Sequence, residues 1–356
     1  MIAKPFCIPL SPTVGAQARL LSLSRLLPVV TAIACLLVTS CSGKDKVYKK
    51  SSLAMDTLIT ITVSSKSEKT ADTAIEKAFN EISRLDKLLN FFSQDSEVTL
   101  INKSAGERPV TVSRDTFEVI DKALYAAEKT GGAFDITIGA VMPLWDFHKK
   151  TMPDQKLMKE QLTLVGFKNV LLDREKSSVF LKRKGMKIDL GGLAKGYAAD
   201  RAVEVLKENG VKAGIVAVAG DIKAFGLKPD GTKWNVGIKN PRPKNVNDEI
   251  FASIGLSDKG ISTAGDYERY FIKDGIRYHH ILDPKTGFPV NYCQAVSVVA
   301  KDDFISDALD TGIFVLGPEK GMKVLKELGL DGVITDDKGN IHVTDGIKSE
   351  LKIKAN

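Results

Sequence analysis

Between residues 69 and 90 the apolar positions Ala74, Ala78, Ile82, Leu85 and Leu89 recur every three or four residues. That spacing lines one stripe of a helix and predicts the clearest α-helix in the chain. Ahead of it, Leu58-Ile59-Thr60-Ile61-Thr62-Val63 alternates aliphatic residues with threonine, the period of a strand. A second helix is expected over 115–129, closed by Gly131-Gly132. Short apolar or alternating runs at 169–173, 178–181, 214–219, 251–256 and 293–300 read as strands. Further helices fit 197–209, stopped by Gly210, then 303–316, and 318–328, stopped by Gly329. Helices and strands interleave without a regular βαβ rhythm. The pattern therefore predicts an α+β (mixed α/β) fold over 52–350, as one large domain or two intimate subdomains.

The first forty residues follow another logic. Lys4, Arg19 and Arg25 precede an apolar run from Leu26 to Leu37, and no acidic residue occurs there. A basic start followed by roughly 7–15 apolar residues reads as an export signal, and spanning a bilayer would take about 20. The run ends Val38-Thr39-Ser40-Cys41, which resembles a lipobox with Cys41 as the lipidated first residue of the mature chain. A plain export leader with an incidental Cys41 is the alternative. Residues 42–51 are rich in lysine and serine and read as a tether. The expected location is thus the periplasmic side of a bacterial membrane.

The formal charge of +7 falls to +4 once the three leader cations are removed. With no basic run interleaved with aromatics, that balance does not point to nucleic acid. Cys7 and Cys35 leave with the leader and Cys41 would carry lipid, so Cys293 has no partner and a disulfide framework is excluded. Cys293 reads as a small buried hydrophobe.

Two segments carry candidate chemistry. Asp307, Asp310 and Thr311 lie three and four residues apart in a predicted helix, with Asp302-Asp303 placed to cap it. Oxygen ligands converging in this way suit a hard cation such as magnesium. An isolated Asp-x-x-Asp is more often a solvated acidic stripe. The segment Asp189-Leu190-Gly191-Gly192-Leu193-Ala194-Lys195 combines close-approach glycines with a cation. It matches neither a P-loop nor a dinucleotide fingerprint, and tight turns alone account for paired glycines. His279-His280 precedes Asp283-Pro284-Lys285-Thr286-Gly287. A zinc site there lacks a third histidine or cysteine at ligand spacing.

In order, Met55-Asp56-Thr57, Ser96-Glu97 with Asn102, Ala133-Phe134-Asp135 ahead of Leu144-Trp145, Asp189 to Asp200, Gly220-Asp221, Ser262 to Tyr267, His280 to Gly287 and Asp307 to Thr311 are similar to the ApbE family of FAD:protein FMN transferases. The resemblance covers nearly all of the mature chain. It implies cleavage of FAD at its pyrophosphate, transfer of FMN to a Ser or Thr hydroxyl of an acceptor protein, and release of AMP. It implies FAD contacts at Met55, Phe92, Ala133, Phe134, Asp135, Asp189, Lys195 and Ile281. It puts Mg²⁺, or Mn²⁺, on the Gly192 carbonyl with Asp307, Asp310 and Thr311, and makes His280 the general base. The implied partners are FAD, acceptor subunits of membrane redox complexes, and the bilayer through Cys41.

The chain departs from the family pattern at Asp56 for glycine, Phe92 for tyrosine, Ala264 for serine and Ala219 for glycine. None of these removes an expected metal ligand. Asp56 and Phe92 bear on the balance between transfer and simple FAD hydrolysis. A metal-dependent FAD pyrophosphatase and a non-catalytic flavin-binding lipoprotein are the alternative readings.

Overall fold

The chain from Lys46 turns back on itself at once. The computed structural model describes residues 45–354; the leader and Cys41 lie outside them. Strands β1 (Lys46–Ala54) and β2 (Thr57–Ser65) form an antiparallel hairpin. Its two-residue turn places Met55 (φ 52°) and Asp56 (φ 55°) in the left-handed region. Two positive φ values define the type I′ turn, which matches the twist of the flanking strands. The expected tether is therefore corrected: from Lys46 the chain is paired strand, because each residue of β1 faces a partner on β2.

Helix α1 (Glu68–Leu89) follows, and the predicted stripe Ala74, Ala78, Ile82, Leu85 and Leu89 is buried. Next come α2 (Glu97–Lys103), β3 (Val110–Thr111), α3 (Arg114–Lys129), α4 (Gln155–Leu162), β4 (Val170–Asp173) and β5 (Ser178–Leu181). Helix α5 (Ala194–Glu208) starts three residues ahead of the 197 expected, which brings Lys195 and Gly196 into its first turn. Strands β6 (Ala213–Val218), β7 (Asp221–Phe225), β8 (Trp234–Lys239), β9 (Ile250–Leu256), β10 (Lys259–Gly265), β11 (Tyr270–Lys273), β12 (Ile276–His279) and β13 (Cys293–Ala300) form the second half. Helices α6 (Asp303–Leu316) and α7 (Pro318–Leu328) precede β14 (Asp331–Asp336), β15 (Ile341–Val343), the short α8 (Asp345–Lys348) and β16 (Lys352–Ile353).

Eight strands make the main sheet in the order β1-β2-β6-β7-β10-β13-β14-β15. Its two faces divide as a period of two requires. Ile59, Ile61, Val63, Val216, Val218, Val296 and Val298 meet the helical layer of α1, α5 and α6. Ala213, Ala224, Ile261, Val299 and Val333 meet Trp234, Val236, Ile238, Ala252 and Ile254 of the small β16-β9-β8 sheet. The described residues 45–354 form one compact unit. The sheet is fully antiparallel. Cys293 is buried in the core.

Candidate active site

The site forms where α5 and α6 cross over β7 and β10. At the crossing, a Cβ on Gly196 would lie 2.7 Å from the Asp303 carbonyl oxygen and 2.8 Å from Asp307 Cβ, so only glycine fits. This approach lets the Gly196 N–H donate to Asp307 Oδ2 at 2.9 Å. The expected cap of α6 is corrected. Asp302 occupies the N-cap position without a side-chain bond. Asp200, on α5, instead accepts from the Asp303 and Phe304 N–H groups at 3.2 and 3.0 Å. One helix thereby caps and aligns the other.

Asp307 and Asp310 are buried, so the solvated-stripe alternative does not hold. Asp221, at the start of β7, joins them: one oxygen from each carboxylate lies within 4.8 Å of the others. Lys195 Nζ pairs with Asp221 Oδ2 at 3.2 Å and lies 4.0 Å from Asp307 Oδ1. Burial opposes the lysine charge, but Asp221, Asp307 and Asp310 outweigh it and raise its pKa. Burial, then the Asp221 charge, pushes Asp307 up to about 7. Asp310 is raised by burial and by Asp307 and Asp221.

Three carboxylates so close, with Asp310 Oδ1 buried and unpartnered, lack positive charge that a hard cation would provide. The residues therefore fit a divalent metal. Thr311 and Gly192 lie beside the cluster, with Thr311 Oγ1 4.0 Å from where a Cβ on Gly192 would sit. The same Cβ would lie 3.2 Å from the Phe134 ring, so these two segments are in contact.

Several family-like residues build the scaffold. Asn102 exchanges two hydrogen bonds with the backbone of Ile188, at 2.8 and 2.9 Å, and so fixes the strand-like approach to Asp189. Ser96 caps α2, while Glu97 accepts from the Ser113 N–H and hydroxyl at the start of α3. Trp145 donates to the Gly287 carbonyl at 3.0 Å. Both oxygens of Asp135 are engaged: Oδ1 by Thr137 and Oδ2 by the Phe167 N–H. Its pKa is raised by burial, against those bonds. Asp135 thus shapes the loop carrying Ala133 and Phe134, both buried.

Asp189 accepts from the Gly191 N–H at 2.9 Å, and burial raises its pKa. Met55 donates its N–H to Asp86 on α1 at 3.0 Å, which ties the hairpin turn to the helix end. Asp86 also holds Asn90, and Asn90 accepts from the Phe92 N–H, so Met55 and Phe92 share one anchor. Phe92 is 74 % exposed, an aromatic face open to a planar ligand. Ile281 is buried.

The two histidines differ. His279 is fully buried; its Nε2 donates to the Val290 carbonyl at 2.7 Å and its Nδ1 accepts from the Ile281 N–H at 3.3 Å. That tautomer is neutral and structural, and burial lowers its pKa. His280 has an unpartnered, buried Nδ1. Burial, with Arg269, His279 and Lys195 nearby, pushes its pKa down to about 3. Burial thus keeps the His280 ring neutral in the ligand-free protein. Asp283, which opens the turn after His280, uses Oδ1 to accept from the Lys285 N–H at 2.9 Å.

Asp221 and Ser262 were outside the expected metal set, although both lie in stretches that the motif comparison picked out. The available signal was Gly220-Asp221 directly after an apolar strand, a hairpin turn that starts β7 with a carboxylate.

A buried carboxylate cluster with a paired lysine, beside a glycine-rich helix start and an exposed aromatic, is a donor set that fits a divalent metal and an anionic ligand. A family model described as the ApbE family matches residues 55–334, and the chain belongs to that family. It is 34 % identical over 346 residues to a FAD:protein FMN transferase of Treponema pallidum, covering 91 % of this chain and 95 % of that one. It is 35 % identical over 286 residues to one of Klebsiella pneumoniae, covering 80 % and 87 %. Among solved structures, the ApbE protein of Thermotoga maritima matches with a TM-score of 0.79 at 34 % identity, over 86 % of this chain and 99 % of that one. The apo flavinyl transferase ApbE of Pseudomonas stutzeri matches at 0.76 and 27 % identity, over 86 % and 97 %.

Proposed function

We propose that this protein is a magnesium-dependent FAD:protein FMN transferase, anchored by lipid at Cys41 on the periplasmic side of the membrane. The observation that carries the reading is the cluster of Asp221, Asp307 and Asp310 with Lys195, assembled from family-matching segments. The cation, Mg²⁺ or Mn²⁺, would be held by Asp307, Asp310 and Thr311 with the Gly192 carbonyl. A cation held there would supply charge neutralisation to the pyrophosphate and to the AMP leaving group.

The protein's own groups do the rest. Lys195 supplies a second, fixed positive charge to the phosphate oxygens. Phe92 and Met55 flank the isoalloxazine, and Ala133, Phe134, Asp189 and Ile281 shape the cofactor cleft. His280 Nδ1, without a hydrogen-bond partner among the described residues, takes the proton of the acceptor hydroxyl as that oxygen attacks phosphorus. The acceptors are proteins with an exposed Ser or Thr, such as subunits of membrane redox complexes.

The test is to incubate the purified protein with FAD, Mg²⁺ and a candidate acceptor and to follow the flavin. Covalent fluorescence on the acceptor, with stoichiometric AMP, is expected. Free FMN with AMP would make the protein a pyrophosphatase, and intact FAD would make it a carrier. Asp307→Ala should lower transfer on the order of a thousandfold, as loss of a metal ligand costs several kcal/mol at the transition state. Normal flavinylation by that variant, or in EDTA, would refute the assignment.

A further inference from the structure

Each metal-facing carboxylate here is tied down by one donor from the fold. For Asp307 the donor is the Gly196 N–H on Oδ2, which leaves Oδ1 facing Lys195 at 4.0 Å. For Asp310 it is the Ser262 hydroxyl, 2.6 Å from Oδ2, which leaves Oδ1 buried and unpartnered. The same Ser262 oxygen contacts Asp221 Oδ1. Ser262 is 1 % exposed, so no solvent shares in these contacts. Its place follows from register. Strands β7 and β10 pair through Ile261↔Ile222, and the next step along each brings Ser262 opposite Asp221.

A serine hydroxyl has one proton, yet this one sits against two carboxylates. It donates to one of them at a time, and the other contact needs a carboxyl proton or nearby positive charge to be favourable. Lys195 supplies such charge to Asp221 at 3.2 Å and to Asp307 at 4.0 Å, and Asp310 makes no ion pair among the described residues. One hydroxyl in this place holds Asp221 and Asp310 against each other and leaves Asp310 Oδ1 free for a further ligand.

We propose that Ser262 is the positioning residue of the metal site, with Asp221 as its third carboxylate: one hydroxyl sets the spacing of Asp221 and Asp310 and thereby sets cation affinity. This rests on the reading of the cluster as a cation site. Groups that orient metal ligands typically govern affinity by 10- to 100-fold.

The experiment measures Mn²⁺ binding to the purified, FAD-free protein by electron paramagnetic resonance, alongside the melting temperature of the metal-free form. Ser262→Ala should weaken Mn²⁺ binding roughly 10- to 100-fold. Ser262→Thr, which keeps the hydroxyl, should bind within a few-fold of the parent. If the alanine variant does not fold, Ser262→Cys, with a weaker donor, is measured and should also bind more weakly. Asp307→Ala separates the two levels of the argument. Mn²⁺ binding lost in Asp307→Ala but unchanged in the folded Ser262 variant overturns the positioning role and leaves the site. Binding unchanged in both overturns the site itself. Threonine binding as weakly as alanine would show that packing, not the hydroxyl, matters, and would also overturn the proposal.

Discussion

Asp303 is 0 % exposed, and neither of its carboxylate oxygens has a partner among the described residues. Burial raises its pKa well above the ordinary value, and Asp221, Asp200 and Asp307 add to the rise. A carboxyl whose folded pKa is raised stabilises fully below its unfolded value near 4 and loses that contribution as pH rises through the folded value. Asp303→Asn should therefore stabilise the protein at pH 8 by about 1–3 kcal/mol and change little at pH 4. Denaturant titrations at the two pH values check this, and a loss of stability at pH 8 would show that Asp303 has a partner in solution. His280 makes a kinetic counterpart. With a free-enzyme pKa near 3, kcat/KM should show no histidine limb between pH 5 and 8. The diphosphate charge of bound substrate favours the protonated ring, so any limb belongs to kcat and rises from the acid side. An acid limb in kcat/KM near 6.5 that vanishes in His280→Ala would contradict the buried environment described here.

At the scale of elements, the β6–β7 hairpin shows how a departure from the family pattern is accommodated. Val218 pairs with Asp221 across a two-residue turn, and Ala219 takes a φ of 56° there. A left-handed alanine costs roughly 1–2 kcal/mol. Ala219→Gly should relieve that strain, offset partly by the greater freedom of glycine in the unfolded chain. The expected net gain is up to about 1 kcal/mol with activity kept, measurable by thermal melting. A destabilised variant would mean that the methyl group packs usefully. The Met55-Asp56 turn raises no such expectation at its second position, since aspartate tolerates the left-handed region well.

At the scale of the whole molecule, correction of the tether has a mechanical consequence. Only residues 42–45 separate Cys41 from β1, so a lipidated Cys41 would hold Lys46 within about 18 Å of the anchor. Lys46 stands at the open end of the hairpin and Met55 at its turn, roughly 30 Å further along β1. A lipidated Cys41 would then keep the turn within roughly 50 Å of the bilayer, and acceptor hydroxyls inside that reach should be favoured. Inserting twenty Gly/Ser residues after Gly43 should raise flavinylation of an acceptor whose threonine stands far from the membrane, and leave a soluble acceptor unaffected. Equal rates with and without the insertion would remove the tether as a constraint. Cys41→Ala should shift the protein from the membrane to the soluble fraction, and mass spectrometry of the mature N-terminus tests lipidation directly.

The sequence by itself determined the elements whose signal is local. Helix α1, α3 and α6 and strands β2, β5 and β13 follow from period and stop residues, since a stripe of aliphatics must be buried and glycine ends a helix cheaply. It also determined family membership, because ordered motifs survive without knowledge of their contacts. The tertiary structure decided the rest. β1 reads as a tether because its lysines and serines have no buried face; only pairing with β2 makes it a strand. Asp200 caps a helix a hundred residues away, Asn102 stands in for a strand partner, and Asp135 ties its loop to Thr137 and Phe167. Asp221 and Ser262 join the carboxylate cluster around Asp310 through register and helix crossing. Such roles depend on distances between residues far apart in the chain, and those distances exist only once the sheet and its helices have packed.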